Sequence, residues 1–147
     1  MTTSIHLCGE REAARLADLM VRARAEAGQD ATVETLVDLI APLLAGTAQG
    51  AAWLFGPTKA PTGYVVLSFR YSVAEGGTVA TVEEIFVRPA IRRRGIATEV
   101  LLALSKALSD GGITALSADF DSDILHRLAT RAGLTERRGL TRATRRL

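Results

Sequence analysis

Two neighbouring segments of the sequence carry side chains from which a reactive site could be built. The first is an acidic pair, Glu83 and Glu84, inside a β-branched run that stops at Pro89. A carboxylate in such a place could attract a cationic amine and accept its proton, directly or through water. An alkyl ammonium with a pKa of about 10.4 costs roughly 4.6 kcal/mol to deprotonate at pH 7, so a general base would help to form the nucleophile.

The alternation of a β-strand limits how the two acids can be used. Successive side chains of an unbroken strand point to opposite faces, so only one acid faces a cleft unless a bulge intervenes. From the residues alone, either acid could be the base, and both could instead be exposed side chains paired with nearby arginines. The assignment therefore depends on the local backbone geometry.

The second segment is a basic turn that follows the strand and opens a helix. It consists of Arg92, Arg93, Arg94, Gly95, Ile96, Ala97 and Thr98. Small residues let main-chain N–H groups approach a ligand closely, and a helix start adds unpaired donors and partial positive charge. The turn has neither the Gly-Lys-Ser/Thr of a Walker loop nor the three glycines of a dinucleotide fingerprint. It predicts a diphosphate cradle of another kind.

The hydrophobic periodicity predicts the scaffold that carries these segments. The spacing favours strands at 4–8, 51–55, 63–71, 78–87 and 113–120, and helices at 11–27, 97–109 and 122–132, with a further helix that ends near Pro42 and Gly46. One or two short strands are expected in 135–147. The order β-α-α-β-β-β-α-β-α-β predicts an α/β (α+β) fold with one mixed sheet of six to seven strands, flanked by four helices.

Composition excludes several classes of protein. Of the 147 residues, 48% are hydrophobic and 23% charged, which suits one compact domain over residues 1–147 and argues against disorder. No run of about 18 apolar residues and no secretory signal is visible, so we expect a cytoplasmic protein without a membrane span. With Cys8 as the single cysteine, no internal disulfide is possible, and we predict no metal site.

The basic turn resembles a motif of a known family. The run from Arg92 to Ala97 is similar to the Gln/Arg-x-x-Gly-x-Gly/Ala motif of the GNAT superfamily of acyl-CoA-dependent N-acyltransferases. The preceding Glu-Glu-Ile-Phe-Val-x-Pro resembles the family's fourth strand, and the paired acids are similar to those of diamine acetyltransferases. Residues 122–134 lie where the family has its Asn-x-x-Ala-x-x-Phe-Tyr-x-x-x-Gly-Phe helix. The element order is similar to the GNAT order over nearly the whole chain.

The resemblance implies an activity and a role for particular residues. It implies transfer of an acetyl group from acetyl-CoA to a primary amine of a small cationic or peptide substrate. The main-chain groups of Phe86 and Val87 would pair with the pantetheine arm, and the Val87 N–H would polarise the thioester carbonyl. The turn 92–98 would hold the pyrophosphate, with Ser122 as a further cofactor contact. Glu83 would be the general base, by its matching position in the diamine enzymes.

The sequence departs from the family pattern at three positions. Arg93 replaces a common glycine, and Ser122 replaces the usual asparagine. More seriously, Ala129 stands where the family has the tyrosine that protonates the leaving thiolate. The thiolate could leave unprotonated, or another acid could serve, for which the candidates are water, His126, Tyr64 and Tyr71.

Two other functions compete with the enzyme. Seven arginines against one acid in 127–147 and the arginine triplet could serve a nucleic-acid-binding module, although aromatic residues make up only 5% of the chain. A catalytically silent acyl-CoA binder would explain the missing tyrosine. Four acids hint at a cationic acceptor, and these are Asp30, Glu34, Asp38 and Glu75. A homodimer could form through the last strands, around 142–147.

Overall fold

The computed structural model describes residues 2–119 and 123–147. The helices are α1 (Ala13–Glu26), α2 (Val33–Leu44), α3 (Ile96–Asp110) and α4 (Asp123–Arg131). The strands are β1 (Ile5–Leu7), β2 (Gly50–Phe55), β3 (Gly63–Ser72), β4 (Gly77–Val87) and β5 (Ala115–Ala118). The predicted order is confirmed from β1 to α4, and short 3₁₀ turns precede α1 and α3.

The five strands form one mixed sheet in the order β1-β2-β3-β4-β5. The first four pair in antiparallel fashion, and β5 runs parallel to β4. The β4–β5 pairing extends only from Val79 to Val82 on β4, opposite Ala115 to Ala118. Among the described residues, the second half of β4 is therefore paired with β3 on one edge and has no β5 partner on the other.

Helices cover both faces of the sheet. Leu16, Leu19 and Met20 of α1 pack with α2 residues against Tyr64 and Phe86 on one face. On the other face, α3 packs against the neighbouring positions of β3 and β4, with Val100 and Leu104 of the helix in the same cluster as Val65 and Leu67. The period-2 alternation of β3 supplies both cores, because adjacent residues point to opposite faces.

Residues 135–147 contain no strand. The predicted number of six to seven strands was therefore too high, because the expected terminal strands do not form. The side chains of this segment are exposed, including the apolar Leu140 and Leu147. Five arginines and few apolar residues leave no alternating face that could be buried against β5. The terminal strands on which we based a homodimer contact are therefore not formed.

No helix in the described residues is both long and apolar enough to cross a membrane.

Candidate active site

A β-bulge in β4 lies at the acidic pair. Val66 of β3 is opposite Glu84, whereas the next residue, Leu67, is opposite Val82, so Glu83 has no partner across the ladder. The Ser68 hydroxyl donates to Glu83 at 2.6 Å, and the Tyr64 hydroxyl donates to Glu84 at 2.8 Å.

The bulge brings both carboxylates to one face of the sheet. Ser68 and Tyr64 are four residues apart on β3, so they share a face, and this is the face covered by α1 and α2. Each of them contacts one member of the acidic pair. The alternation expected of an unbroken strand is therefore lost at Glu83.

Glu84 is held in a compact polar network. The Arg24 guanidinium on α1 donates to its two oxygens at 2.7 and 2.9 Å, beside the bond from Tyr64. The hydrogen bond to Glu84 raises the pKa of Arg24. Burial, followed by the negative charge of Glu84, raises the pKa of the Tyr64 hydroxyl. The charge of Glu84 is thus balanced by the Arg24 guanidinium. Because its pKa is raised and its hydroxyl is bound to Glu84, Tyr64 is a poor proton donor to any other group.

Glu83 has a different environment. Its side chain is exposed, and its bond from Ser68 leaves the second carboxylate oxygen open to solvent. It forms no ion pair with any residue of the described part of the chain. Of the two acids, Glu83 is the one that an incoming amine could reach.

We expect Arg24→Gln to lower the free energy of unfolding by about 1–2 kcal/mol, because its charged hydrogen bonds to Glu84 are lost. The loss is limited because the side chains of Arg24 and Glu84 are 27% and 30% exposed. Denaturant titration would measure the change. Lys106→Gln is the control, because it removes an ion pair to Asp110 whose side chains are 81% and 69% exposed, and it should cost less than about 0.5 kcal/mol. Equal losses in the two variants would contradict a supporting role for Arg24.

The hydrogen-bond pattern between β4 and β3 shows which main-chain groups of β4 lie on its free edge. The Arg88 N–H donates to the Thr62 carbonyl at 2.9 Å, so residues 86 and 84 also bond towards β3. The intervening residues Ile85 and Val87 direct their N–H and C=O groups to the opposite edge. The main chain of Phe86 therefore lies on the β3 side, and Ile85, which sequence analysis missed, joins Val87 on the free edge.

The Arg92 side chain folds back onto β4 and α1. Its Nε donates to the Val87 carbonyl at 2.7 Å, and its terminal nitrogens donate to the Glu26 carboxylate at 2.7 and 2.6 Å. The guanidinium carbon lies 5.3 Å from the centre of the Phe86 ring. The hydrogen bond from Arg92 lowers the pKa of Glu26. A side chain expected to face a diphosphate thus binds a carboxylate and the strand end.

The rest of the basic turn is open. Gly95, with a φ of 75°, is the N-cap of α3, and a Cβ built on it would meet no atom within 4 Å. Arg93 also has a positive φ, 65°, and neither Arg93 nor Arg94 pairs with a described acid. Because no side chain caps the helix, the N–H groups of residues 96–98 remain as donors. This set of donors and cations fits a diphosphate.

The acid in the first turn of α3 does not compete for these donors. Glu99 accepts hydrogen bonds from the main-chain N–H and the hydroxyl of Thr3, the latter at 2.9 Å. The Thr3 main-chain bond is the largest cause that lowers the Glu99 pKa. The carboxylate is therefore directed to the N-terminal segment rather than to the helix axis.

Ala129, where the resemblance places the family's tyrosine, lies on α4. Ala129 is 3% exposed and lines an open groove of about 330 Å³ together with His126 and Glu136. His126 Nε2 lies 3.9 Å from Glu136 Oε2. Of the other candidate acids, Tyr64 is bound to Glu84, and Tyr71 is exposed near the end of β3. The predicted cofactor contact Ser122 lies outside the described residues.

The other candidate residues form no second site. The four acids proposed on the acceptor side are exposed, and these are Asp30, Glu34, Asp38 and Glu75. Within the described ranges no three His, Cys, Asp or Glu side chains cluster as metal ligands would. Cys8 is buried, and burial is the main cause that raises its thiol pKa to about 12.

Residues 14–134 match the sequence model of the acetyltransferase (GNAT) family. The chain therefore belongs to this family of acetyltransferases. The matched range includes the arginine turn, residues 92–98. No curated protein sequence is significantly similar to the chain.

Solved structures share the fold over nearly the full chain. The integron cassette protein HFX_CASS3 from the mobile metagenome of Cole Harbour Salt Marsh has a TM-score of 0.85 and 25% identity, over 97% of this chain and 90% of that one. A protein of Arthrobacter sp. FB24 assigned as an acetyltransferase has a TM-score of 0.80 and 27% identity, over 98% and 96%. The aminoglycoside N-acetyltransferase AAC(6')-Iy in complex with CoA has a TM-score of 0.79 and 17% identity, over 99% and 95%.

Proposed function

We propose that the protein is an acetyl-CoA-dependent N-acetyltransferase that acts on a primary amine, with Glu83 as general base. The bulge that leaves the Glu83 side chain exposed, on the face of the sheet where Ser68 contacts it, is the observation that carries this proposal. The donor-rich turn follows directly after the same strand. Membership of the GNAT family and the fold shared with an aminoglycoside N-acetyltransferase in complex with CoA support the assignment.

Acetyl-CoA, when bound, supplies the thioester whose acetyl group is transferred. In our proposal the N–H groups of residues 96–98 and the guanidiniums of Arg93 and Arg94 bind the diphosphate. The free edge groups of Ile85 and Val87 pair with amides of the pantetheine arm, as an added strand would. The Val87 N–H would be the donor to the thioester carbonyl. Ser122 remains a predicted contact of the cofactor.

Glu83 prepares the nucleophile in this proposal. The ammonium of the acceptor approaches the exposed carboxylate and loses a proton to it, directly or through water. The Ser68 hydroxyl binds one carboxylate oxygen at 2.6 Å and orients the other towards the substrate. Glu84 cannot share this task while Arg24 and Tyr64 bind it.

The acceptor side suits a small cationic amine or a peptide amine. Glu83 contributes a free negative charge, and the exposed acids Asp30, Glu34 and Asp38 lie on or next to α2. These charges would attract a cation at moderate ionic strength. A panel of polyamines, aminoglycosides and peptides, assayed with acetyl-CoA for thiol release, tests the activity and identifies the acceptor class.

A second candidate is an acyl-CoA binder without turnover, which the buried Ala129 favours because the family's acid is missing. Calorimetry separates the two functions. Acetyl-CoA binding together with thiol release supports the enzyme. Acetyl-CoA binding without release for any amine of the panel would support the binder instead.

We expect Ala129→Tyr to maintain or increase turnover, because the change restores the family's tyrosine at a position that lines an open groove of about 330 Å³. Steady-state rates of thiol release at pH 7 would measure the effect. Arg131→Tyr, at an exposed position of the same helix, is the control and should leave the rate unchanged. A folded Ala129→Tyr protein with strongly reduced turnover would show that the position does not accept the phenol.

A further inference from the structure

Two ion pairs connect the last turn of α1 to β4 and to the basic turn that follows it. In one pair α1 contributes the cation, and in the other it contributes the anion. Arg24 of α1 binds Glu84 on β4, and Glu26 of α1 binds Arg92 after β4. The first pair involves an acid that our mechanism does not use. The second involves Arg92, which sequence analysis places in the turn that would hold the pyrophosphate, so its partner Glu26 bears on cofactor binding.

Two contacts of Arg92 conflict with the proposed binding of acetyl-CoA. Its Nε fills the Val87 carbonyl, which is an acceptor on the free edge of β4. Its terminal nitrogens form a fork with the Glu26 oxygens, and this is the geometry in which a guanidinium also binds a phosphate. One guanidinium cannot present the same donors to a carboxylate and to a diphosphate at once.

We propose that Glu26 is a latch that holds Arg92 on the free edge of β4, and that acetyl-CoA must displace Arg92 from Glu26 and Val87 in order to bind. This inference rests on the proposed function. On binding, the Arg92 donors transfer from one anion to another, and the Val87 carbonyl becomes available to the pantetheine arm. Glu26 then returns to solvent, and of the two ion pairs only Arg24–Glu84 still binds the end of α1.

The exposure of the latch is suited to reversible opening. The Arg92 and Glu26 side chains are 39% and 45% exposed, so the Coulombic attraction between them is well screened by water. Exposed pairs of this kind contribute little to stability, and a cofactor with several negative charges can compete for the arginine. The contact of Arg92 with the Phe86 ring, at 5.3 Å, stabilises the side-chain position in which Arg92 binds Glu26 and Val87.

Glu26→Gln is the decisive variant, because it retains the shape of the side chain but removes the charge that competes with the diphosphate. We expect it to bind acetyl-CoA about two- to fivefold more tightly than the wild type in calorimetry. Asp18→Asn is the matched control, since it also removes one exposed negative charge of α1 that pairs with an arginine. The control should change the affinity by less than the test variant.

The titration of Glu26 provides a second readout. In the free protein the Arg92 hydrogen bond holds the Glu26 pKa below its usual value, and saturation with acetyl-CoA should return it to the value found in Arg92→Gln. Carboxyl NMR would follow this change. Unchanged affinity in Glu26→Gln, or a Glu26 pKa that stays low in the complex, would overturn the latch alone. Failure of the wild type to bind acetyl-CoA would overturn both the latch and the proposed function.

Discussion

Gly95→Asp is expected to lower the affinity for acetyl-CoA at least about 100-fold, which corresponds to about 2.7 kcal/mol. The new carboxylate would lie at the start of α3, where the helix donors and arginines are expected to meet the diphosphate. Its charge repels the cofactor, and its side chain occupies space that is open in the protein. Calorimetric titration with acetyl-CoA would measure the loss.

The variant should fold, which makes the experiment interpretable. Aspartate tolerates a positive φ better than most residues, and the added Cβ meets no atom within 4 Å. Gly76→Asp is the control, because Gly76 in the β3–β4 hairpin also has a positive φ, 70°, and open space. Equal affinities in the two folded variants would refute the diphosphate cradle.

Glu83→Gln is expected to reduce turnover about 10²- to 10⁴-fold, the range typical of lost acid–base catalysis. The amide keeps an oxygen for the Ser68 hydroxyl but cannot accept the proton of an ammonium. Acetyl-CoA affinity should stay nearly intact, since Glu83 is not among the groups assigned to the cofactor. Steady-state kinetics with the best amine of the panel would measure the effect.

The pH dependence of this defect gives a sharper test. Above the pKa of the amine, about 10.4, the acceptor is already deprotonated, so the rate ratio between wild type and Glu83→Gln should decrease as the pH approaches that value. Glu84→Gln is the comparison variant, and its main effect should be on stability, through Arg24 and Tyr64. A folded Glu84→Gln protein that is inactive, with Glu83→Gln fully active from pH 6 to 9, would reverse the assignment.

The order of the elements could be predicted because it depends on local patterns. The helical stripe of α1 and the switch from strand to turn at Pro89 are both visible in the sequence. The left-handed start of α3 follows from Gly95, since glycine is the residue that adopts a positive φ at no steric cost. The basic turn could therefore be recognised from its residue types and their spacing alone.

The bulge and the latch could not be predicted in the same way. The extra residue at Glu83 is a property of the pairing between β3 and β4, and the sequence of β4 alone fits an unbroken strand equally well. Arg24 and Glu26 lie beyond the apolar stripe of α1, where charged residues are expected on any exposed helix face. Only the tertiary fold shows that they contact β4 and the turn after it.

The terminal strands were predicted wrongly for a related reason. Short runs such as 135–147 satisfy strand propensity weakly, and whether they pair depends on the burial available at the sheet edge. The exposed arginines of this segment gain nothing from such burial, although Arg142 does contact Asp119.

Because Cys8 is buried, thiol release by the protein can be assayed with a chromogenic disulfide reagent without a background reaction from the protein itself. Disulfide reagents react with thiolates, and a thiol with a pKa of about 12, shielded from solvent, supplies almost none at neutral pH. The colour that develops during turnover would then come from free CoA, without a blank from the protein's one sulfhydryl. In the absence of substrate, the slow labelling of Cys8 would count how often the folded chain opens.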